Sequence, residues 1–382
     1  MDILIGVIVG LIILVFLVVV HELGHAIVAR RNGVVVEEFG IGFPPRAWAK
    51  KLKNGILFSL NWLPLGGFVK LQGEHDAARG KGDYGAATFW QKTKILLAGV
   101  VINWLVAAIL LTILALTGLP KILPNQFSIA SDTTTLRQPV EIGSVVAGSP
   151  ADKAGLKVGD QILRFDGERV PSAQSLNQQT EANSGETVQL IYSRGGTETM
   201  ATVELLENPE EDEGYLGVAS GQRELIQATW SAPIVGVATT AQFTWVTLQG
   251  LGDLVANLFT GTIFQLSPDE QARQQADKDL EAASNSVAGP VGILGTIFPQ
   301  AQQAGLTQLT FLTAIISLTL AVMNFLPIPA LDGGRWFTMA IFRLLKKPLT
   351  KEREETIQAT GFLVLMALII LVTFGDITKL FN

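Results

Sequence analysis

The residues best able to do chemistry in this chain lie at the end of its first apolar run. His21, Glu22 and His25 form an H-E-x-x-H motif, and residues 3–20 before it carry no charge. On a helix the two histidines project from one face, so they can share a zinc ion while Glu22 acts as a general base. The motif also occurs by chance, but ionisable residues at membrane depth are costly and usually functional. The pattern predicts zinc-dependent peptide hydrolysis at membrane depth.

The composition places the chain among integral membrane proteins, with room for a soluble domain. Of its 382 residues, 48% are hydrophobic and 16% are charged. The absence of cysteine excludes disulfides and thiolate ligands, so zinc must be held by His, Asp or Glu. A net charge of -6, with no basic cluster interleaved with aromatic residues, argues against a nucleic-acid partner. The N-terminus lacks a basic region and a cleavage site, so we expect a retained helix rather than a signal peptide.

Four segments are long and apolar enough to be transmembrane helices. They are residues 3–29, 95–119, 306–326 and 356–374. Glycines and Asp253 interrupt a further apolar region, residues 230–264. That pattern predicts an amphipathic or partly embedded helix in contact with the lipid bilayer rather than a fifth span.

The basic residues near the span ends predict the orientation of the chain. Lysines and arginines collect between the first two spans and again between the last two. With four spans these two loops lie on the same side, which the positive-inside rule makes cytoplasmic. The zinc motif then lies near the cytoplasmic end of the first span. Both chain ends and residues 120–305 face the opposite compartment.

The third zinc ligand has two candidates, His75 and a carboxylate. His75 is the remaining histidine and lies in a polar, glycine-rich loop, where a solvated side chain is expected. Asp332 follows Pro327 and Pro329, which must break the third span at membrane depth. It is the sole acidic residue from Leu306 to Lys351 and lies on the side of the histidine pair. Asp-Gly-Gly is also a common turn, but these features favour Asp332 as the ligand.

A short β region is expected between the first two spans. Residues 56–63 and 67–71 have the pattern of strands, and residues 64–67 (Pro-Leu-Gly-Gly) are typical of a turn. A small cytoplasmic β-hairpin follows from this pattern. Its edge at Gly67, Phe68 and Val69 could pair with an extended substrate, or the hairpin could be purely structural.

The pattern of a soluble domain runs from about residue 139 to 218. Residues 145–163 and 165–170 resemble a PDZ domain, a fold that binds peptides or chain ends by adding a strand to a sheet edge. The alternative is a domain that only restricts access to the site. Residues 267–285 are polar and predict a solvated helix or flexible insert without chemistry.

Taken together, these motifs resemble the site-2 protease family of intramembrane zinc metalloproteases. The residues that carry the resemblance are H-E-x-x-H at 21–25, Gly99 with Asn103, Ser286–Ile293, and Asn324 with the Pro-x-Pro-x-Leu-Asp-Gly segment at 327–333. The likeness is to the bacterial branch of the regulator of sigma-E protease type, which cleaves anti-sigma factors and signal-peptide remnants. The best-known member has two tandem PDZ domains, whereas one is found here.

The resemblance implies regulated intramembrane proteolysis in a bacterial inner membrane, with Zn²⁺ as cofactor. A transmembrane protein substrate is first trimmed outside by another protease, then cut within its membrane segment, and a fragment is released to the cytoplasm. By position in the motifs, Asn324 would hold the unwound substrate backbone. Asn103 would support the site or the developing oxyanion. Either asparagine could instead hydrogen-bond a neighbouring helix.

The predicted fold is a polytopic α-helical membrane protein with about four transmembrane helices, a cytoplasmic β-hairpin region and one inserted PDZ-like α+β domain. The expected domains are an N-terminal membrane core (1–119), the PDZ-like domain (125–222), a connecting region (223–304) and a C-terminal membrane core (305–382). The preferred function is a zinc endopeptidase with His21, His25 and Asp332 as ligands. The main alternative is a membrane-embedded PDZ adaptor with an inactive protease site. A zinc transporter would need more intramembrane ligands.

Overall fold

The computed structural model describes residues 2–209, 214–265, 267, 269–285 and 288–381. Ser286 and Val287 of the family-like segment lie outside these residues. The helices are α1 (Asp2–Arg31), α2 (Phe89–Leu96), α3 (Ala98–Thr117), α4 (Pro150–Lys153), α5 (Ala173–Ala182), α6 (Ala232–Phe264), α7 (Glu270–Asn285), α8 (Pro290–Gly292), α9 (Phe298–Gln303), α10 (Leu306–Phe325), α11 (Asp332–Leu344) and α12 (Lys351–Phe381), with a π-helical turn (Ile293–Ile297) before α9. The strands are β1 (Val36–Lys51), β2 (Leu57–Leu71), β3 (Leu119–Pro120), β4 (Thr134–Arg137), β5 (Val140–Val145), β6 (Gln161–Phe165), β7 (Glu168–Arg169), β8 (Thr187–Arg194), β9 (Thr197–Glu204), β10 (Val218–Gly221) and β11 (Glu224–Gln227).

Four helices of the described chain are long and apolar enough to cross a membrane. They are Ile3–Arg31, Ala98–Thr117, Leu306–Phe325 and Lys351–Thr378. The prediction of four apolar helices long enough to span a membrane is therefore confirmed. The second begins later than predicted because α2 ends at Leu96 and Leu97 caps it, its N–H turning back to Thr93 and Ile95. The short helix α2 is thus separate from the span.

The interrupted apolar region forms one continuous helix, α6, of 33 residues. Its glycines do not break it, since glycine lowers helix stability without removing a hydrogen bond. At Gly236 the helix lies so close to α3 that a side chain there would collide with Thr112. Trp104 of α3 also donates to the Thr244 hydroxyl at 3.1 Å. These contacts fix α6 against the second span. The polar segment after it was expected to be a solvated helix or a flexible insert, and residues 270–285 of it form a helix, α7.

The β region between the first two spans differs from the predicted hairpin. Strand β2 continues from 57 to 71, so residues 64–67 lie inside it rather than forming a turn. The chain reverses instead between β1 and β2, around Gly55 (φ 88°). The hairpin was predicted wrongly because β2 pairs with β1. The alternation of apolar and polar residues in β1 is hidden by its prolines and charges.

Strands β1 and β2 pair with each other in three places. Residues 36–41 lie antiparallel to residues 67–71, and residues 46–51 lie antiparallel to residues 57–61. Phe39, Gly40 and Ile41 also lie beside Phe58, Ser59 and Leu60. The first half of β1 is thus enclosed between the two halves of β2. This leaves residues 67–71 at the outer edge of the arrangement.

An apolar cluster joins this β region to the helices that carry the candidate ligands. Trp336 of α11 donates to the Thr93 hydroxyl of α2 at 3.0 Å, which adds a polar link. The cluster contains buried side chains from α1, α2 and α11, so it packs these three helices together. Its buried members are Ala26, Ala29, Val34, Val36, Ile56, Leu71, Tyr84, Ile95, Leu96 and Met339.

Residues Ala115–Ser231 form a second compact unit of α+β type. One sheet has the strand order β10-β5-β6-β8-β9, with β7 on β6, and a second has the order β3-β11-β4. Helix α4 begins with the Ser149 side chain accepting from the Asp152 N–H and with Pro150 at the first turn. The core is apolar and fully buried at Val140, Ile142, Ala151, Ile162 and Leu190.

Candidate metal centre

The two motif histidines and Asp332 converge although the helices that carry them are far apart in sequence. Helix α1 places His21 and His25 on one face, and α11 begins at Asp332. The Asp332 Oδ2 atom lies 3.0 Å from His21 Nε2 and 3.2 Å from His25 Nε2, and the two Nε2 atoms are 3.1 Å apart. Tetrahedral zinc with ligands at 2.0–2.1 Å holds neighbouring donor atoms about 3.3 Å apart. The three donor atoms are therefore spaced as zinc requires.

The donor atoms also have room beside them, because α3 presents a glycine at this point. A Cβ atom on Gly99 would lie 2.5 Å from His21 Nε2 and from His25 Nε2. Any side chain at this position would therefore collide with both imidazoles. Two imidazoles and one carboxylate, in a chain without cysteine, form a donor set that suits zinc. The residues present fit a zinc ion.

Hydrogen bonds behind the imidazoles orient them. His25 Nδ1 lies 2.7 Å from the Ile95 carbonyl oxygen, to which it donates, and this leaves the Nε2 lone pair free for a metal. His21 Nδ1 lies 3.4 Å from Nδ2 of the buried Asn103. Within the described chain, Asn103 Oδ1 has no hydrogen-bond partner, so a turned amide would accept from His21 Nδ1–H. Asn103 thus lies behind His21, one of the candidate ligands.

The break after the third span explains how Asp332 reaches the histidines. Helix α10 ends at Phe325, and Leu326 is already extended. Ala330 takes a positive φ of 78°, and its N–H donates to the Gln358 side chain of α12 at 2.6 Å. A side chain at Gly333 would collide with the Phe325 carbonyl. Asp332 therefore begins a new helix, α11, which packs against the end of α10. The dipole of α11 stabilises a carboxylate at this N-terminus.

A cavity of about 200 Å³ is lined by two of the three candidate ligands, His25 and Asp332. Glu22 also lines it, as do Phe68 and Val69 of β2. Gly67 lies beside Glu22, since a Cβ atom on it would be 3.5 Å from Glu22 Cγ. The structure thus brings the predicted general base and the predicted pairing edge to one small space.

Asn324 and His75 lie elsewhere. The Asn324 amide donates to the Leu320 carbonyl of its own helix at 2.9 Å. His75 lines a separate cavity of about 450 Å³, and within the described residues its Nδ1 has no hydrogen-bond partner. The group of residues whose donor atoms could hold a metal is His21, His25 and Asp332, and His75 is not part of it.

Sequence reasoning missed Arg335, Glu74 and Tyr84, which also line the cavity beside Glu22. Arg335 donates to Glu74 Oε1 at 2.8 Å, and its guanidinium carbon lies 5.5 Å from the Tyr84 ring centre. Burial raises the pKa of Tyr84 above its usual range, so the phenol stays protonated. Arg335 lies one turn after Asp332, so helical spacing could have revealed it. Glu74 and Tyr84 come from a loop with no such signal.

Comparison with known proteins finds relatives that are named as zinc metalloproteases. Residues 9–368 match peptidase family M50. The chain is 31% identical over 361 residues to a protein of Clostridium perfringens named as a zinc metalloprotease, covering 94% of this chain and 95% of that one. It is 28% identical to the zinc metalloprotease RasP of Geobacillus kaustophilus and 25% identical to the regulator of sigma-W protease RasP of Bacillus subtilis, with 96% of each chain covered in both cases.

Among solved structures, the PDZ domain of the SdrC-like protein from Listeria monocytogenes matches 25% of this chain and 93% of its own. The sequence identity is 24% and the TM-score is 0.20, which is too low to support a fold assignment.

Proposed function

Because this chain belongs to peptidase family M50 and is a zinc metalloprotease, we propose that it hydrolyses peptide bonds within the membrane-spanning segments of other proteins. One observation carries the proposal. His21, Glu22 and His25 lie in α1, a helix long enough to cross a membrane, and Asp332 of α11 meets the two histidines beside a strand edge. A soluble protease would not need its histidine pair at the end of an uncharged apolar run.

We assign the ligand roles to His21, His25 and Asp332 and the role of general base and acid to Glu22. Zinc, when bound, supplies Lewis-acid activation of water and of the scissile carbonyl. Glu22 lines the cavity next to the ligand His25, so its carboxylate can accept a proton from the attacking water and deliver it to the leaving amine. Asn103 would hold His21 in the tautomer that directs Nε2 towards the ion.

The substrate backbone must be unwound to reach this cavity, because helical carbonyls are hydrogen-bonded and crowded. Once unwound in a membrane, its freed N–H and C=O groups need new partners. Gly67, Phe68 and Val69 would supply them by strand pairing, since these residues lie at the outer edge of the β region beside Glu22. The Asn324 amide would exchange the Leu320 carbonyl for a carbonyl of the substrate.

The predicted substrates and orientation complete the proposal. Substrates would be transmembrane proteins, such as anti-sigma factors or signal-peptide remnants, first trimmed by another protease. One relative, named as a regulator of sigma-W protease, supports this class. The enzyme would lie in a bacterial inner membrane with the zinc site towards the cytoplasm, in accord with its basic loops. The PDZ-like region at 125–222, between membrane cores at 1–119 and 305–382, would bind chain ends or restrict access from the other side.

The test is hydrolysis of a transmembrane peptide by the purified full-length chain in lipid nanodiscs, with zinc measured by elemental analysis. We expect Glu22→Gln to keep about one zinc per chain while turnover falls roughly a thousandfold, the usual scale for losing a group that transfers protons in the transition state. Turnover of Glu22→Gln near the unmodified level would refute its assigned role. A zinc-loaded chain that cleaves no transmembrane peptide would favour the adaptor alternative.

A further inference from the structure

The strand edge beside Glu22 is closed at one end by the chain's own carboxylate. Among the strands of the described chain, residues 67–71 (the pairing edge) pair with β1 alone. At the last residue of this edge, the Leu71 N–H donates to Glu74 Oε2 at 3.3 Å. Leu71 and Glu74 both line the cavity that holds Glu22. The Glu74 oxygen therefore occupies the place of a carbonyl oxygen from an added strand.

Arg335 holds the Glu74 carboxylate in this place. One guanidinium nitrogen donates to Glu74 Oε1 at 2.8 Å, and the other donates to the Glu74 main-chain oxygen at 3.1 Å. The same guanidinium also donates a hydrogen bond to Glu354 Oε1 at 3.4 Å. Since Arg335 lies one turn after Asp332 on α11, a single helix sets both the metal ligand and the end of the pairing edge.

We propose that Glu74, held by Arg335, is a positioning residue that ends the substrate strand at Leu71 and so fixes which peptide bond reaches Glu22. This inference rests on the proposed cleavage of membrane segments. A substrate that paired further along would have to displace a carboxylate that accepts a hydrogen bond from Arg335, on a residue whose main-chain oxygen accepts a second one. The usable edge then runs from Gly67 to Lys70, and the position of the substrate relative to the zinc ligands is set by where that edge stops.

The geometry of strand pairing predicts what happens when the Glu74 carboxylate is removed. Along a strand, N–H and C=O groups that face one side recur every second residue, and side chains alternate with the same period. A substrate freed to use the Leu71 N–H would move by two residues, because a shift of one would exchange the faces of all its side chains. A second cleavage site two residues from the first is therefore expected.

The experiment maps the cleaved bonds of one transmembrane peptide by mass spectrometry, using full-length enzyme in nanodiscs. Glu74→Ala should add or substitute a cut two residues from the original bond. Glu74→Gln has one acceptor oxygen where the carboxylate gives one to Leu71 and one to Arg335, so it should allow both the original and the shifted bond. Glu354→Gln is the matched control, since it weakens another partner of Arg335 without touching Leu71, and it should keep the original bond alone.

The outcomes separate this inference from the proposed function. If the unmodified enzyme cuts the peptide and Glu74→Ala cuts the same single bond more slowly, Glu74 is merely structural and the inference is wrong. If the unmodified enzyme with bound zinc cuts no transmembrane peptide, the proposed function itself fails. If Glu74→Ala loses zinc or aggregates, the cleavage site of Glu74→Asp tests the inference instead. Its shorter side chain keeps a charge for Arg335 but withdraws from Leu71, so an unchanged bond would overturn the proposal.

Discussion

Replacing Gly99 with alanine should strongly lower the affinity for zinc, although all three proposed ligands remain in place. The new Cβ atom would lie 2.5 Å from both histidine Nε2 atoms. Non-bonded atoms prefer a separation of about 3.5 Å, so a ring or the helix must move by about 1 Å. Zinc ligands tolerate deviations of only about 0.2 Å. We therefore expect zinc affinity to fall by more than about a hundredfold, beyond the 10–100-fold typical when an outer partner of a ligand is lost.

The assay is competition for zinc with a chelator of known affinity, followed by peptide hydrolysis at saturating zinc. Gly250→Ala is a suitable control, because it lies in helix α6 and a Cβ there meets no described atom within 4 Å. That control should keep zinc and gain about 0.5–1 kcal/mol of stability from the loss of a helical glycine. If Gly99→Ala binds zinc within threefold of the unmodified chain, the space beside the imidazoles is not the ion site.

Three further changes test other parts of the structure. Asn103→Ala should weaken zinc affinity about 10–100-fold, measured by the same competition, because His21 Nδ1 loses the partner that orients its ring. Val69→Pro should slow cleavage of stable helical substrates more than of those containing glycine or proline, with zinc content unchanged, and equal slowing would argue against strand pairing. Asp160→Asn should lower stability of the unit at 115–231 by about 1 kcal/mol, since Asp160 accepts two hydrogen bonds from the partly exposed Arg194. Burial alone would raise the pKa of Asp160, but these bonds lower it below its usual value, so the contribution is present above the unfolded-state pKa of about 3.9 and is lost as pH falls through the folded-state value. The effect is measured as the protease resistance of this unit, for the variant and for the unmodified chain, at pH 7 and at pH 2. If the variant is less resistant by the same amount at both pH values, the prediction is contradicted.

The zinc chemistry could be predicted because it follows from local spacing. Two histidines four residues apart share a helix face whatever the tertiary structure, and the absence of cysteine restricts the other ligand. The family and the zinc cofactor expected from these motifs are confirmed by the match to peptidase family M50 and by the named relatives. The choice of Asp332 over His75 relied on a span count, and the four spans are found.

The β region could not be predicted correctly because its pairing is not local. The glycines at 66 and 67 indicated a turn, yet Gly66 (φ 115°) lets the strand bend so that its two halves pair with opposite edges of the first half of β1. Strand β1 was missed because Pro44 and Pro45, with charges on both sides, hide its alternation. A turn signal shows where a chain can change direction, but the partner strand decides whether it reverses.

The approach of the helices could not be predicted either, although it sets the geometry of the site. In a membrane, apolar burial does little to hold helices together, so close packing at small residues takes its place. Gly24 brings α1 to α3, since a Cβ there would lie 2.9 Å from the Ala98 carbonyl oxygen. Gly99 and Gly333 do the same beside the histidines and behind Asp332. The ligand types come from the motifs, but the distances between the donor atoms come from these glycines. A larger residue at any of the three should therefore change the separation of the ligands before it changes the fold.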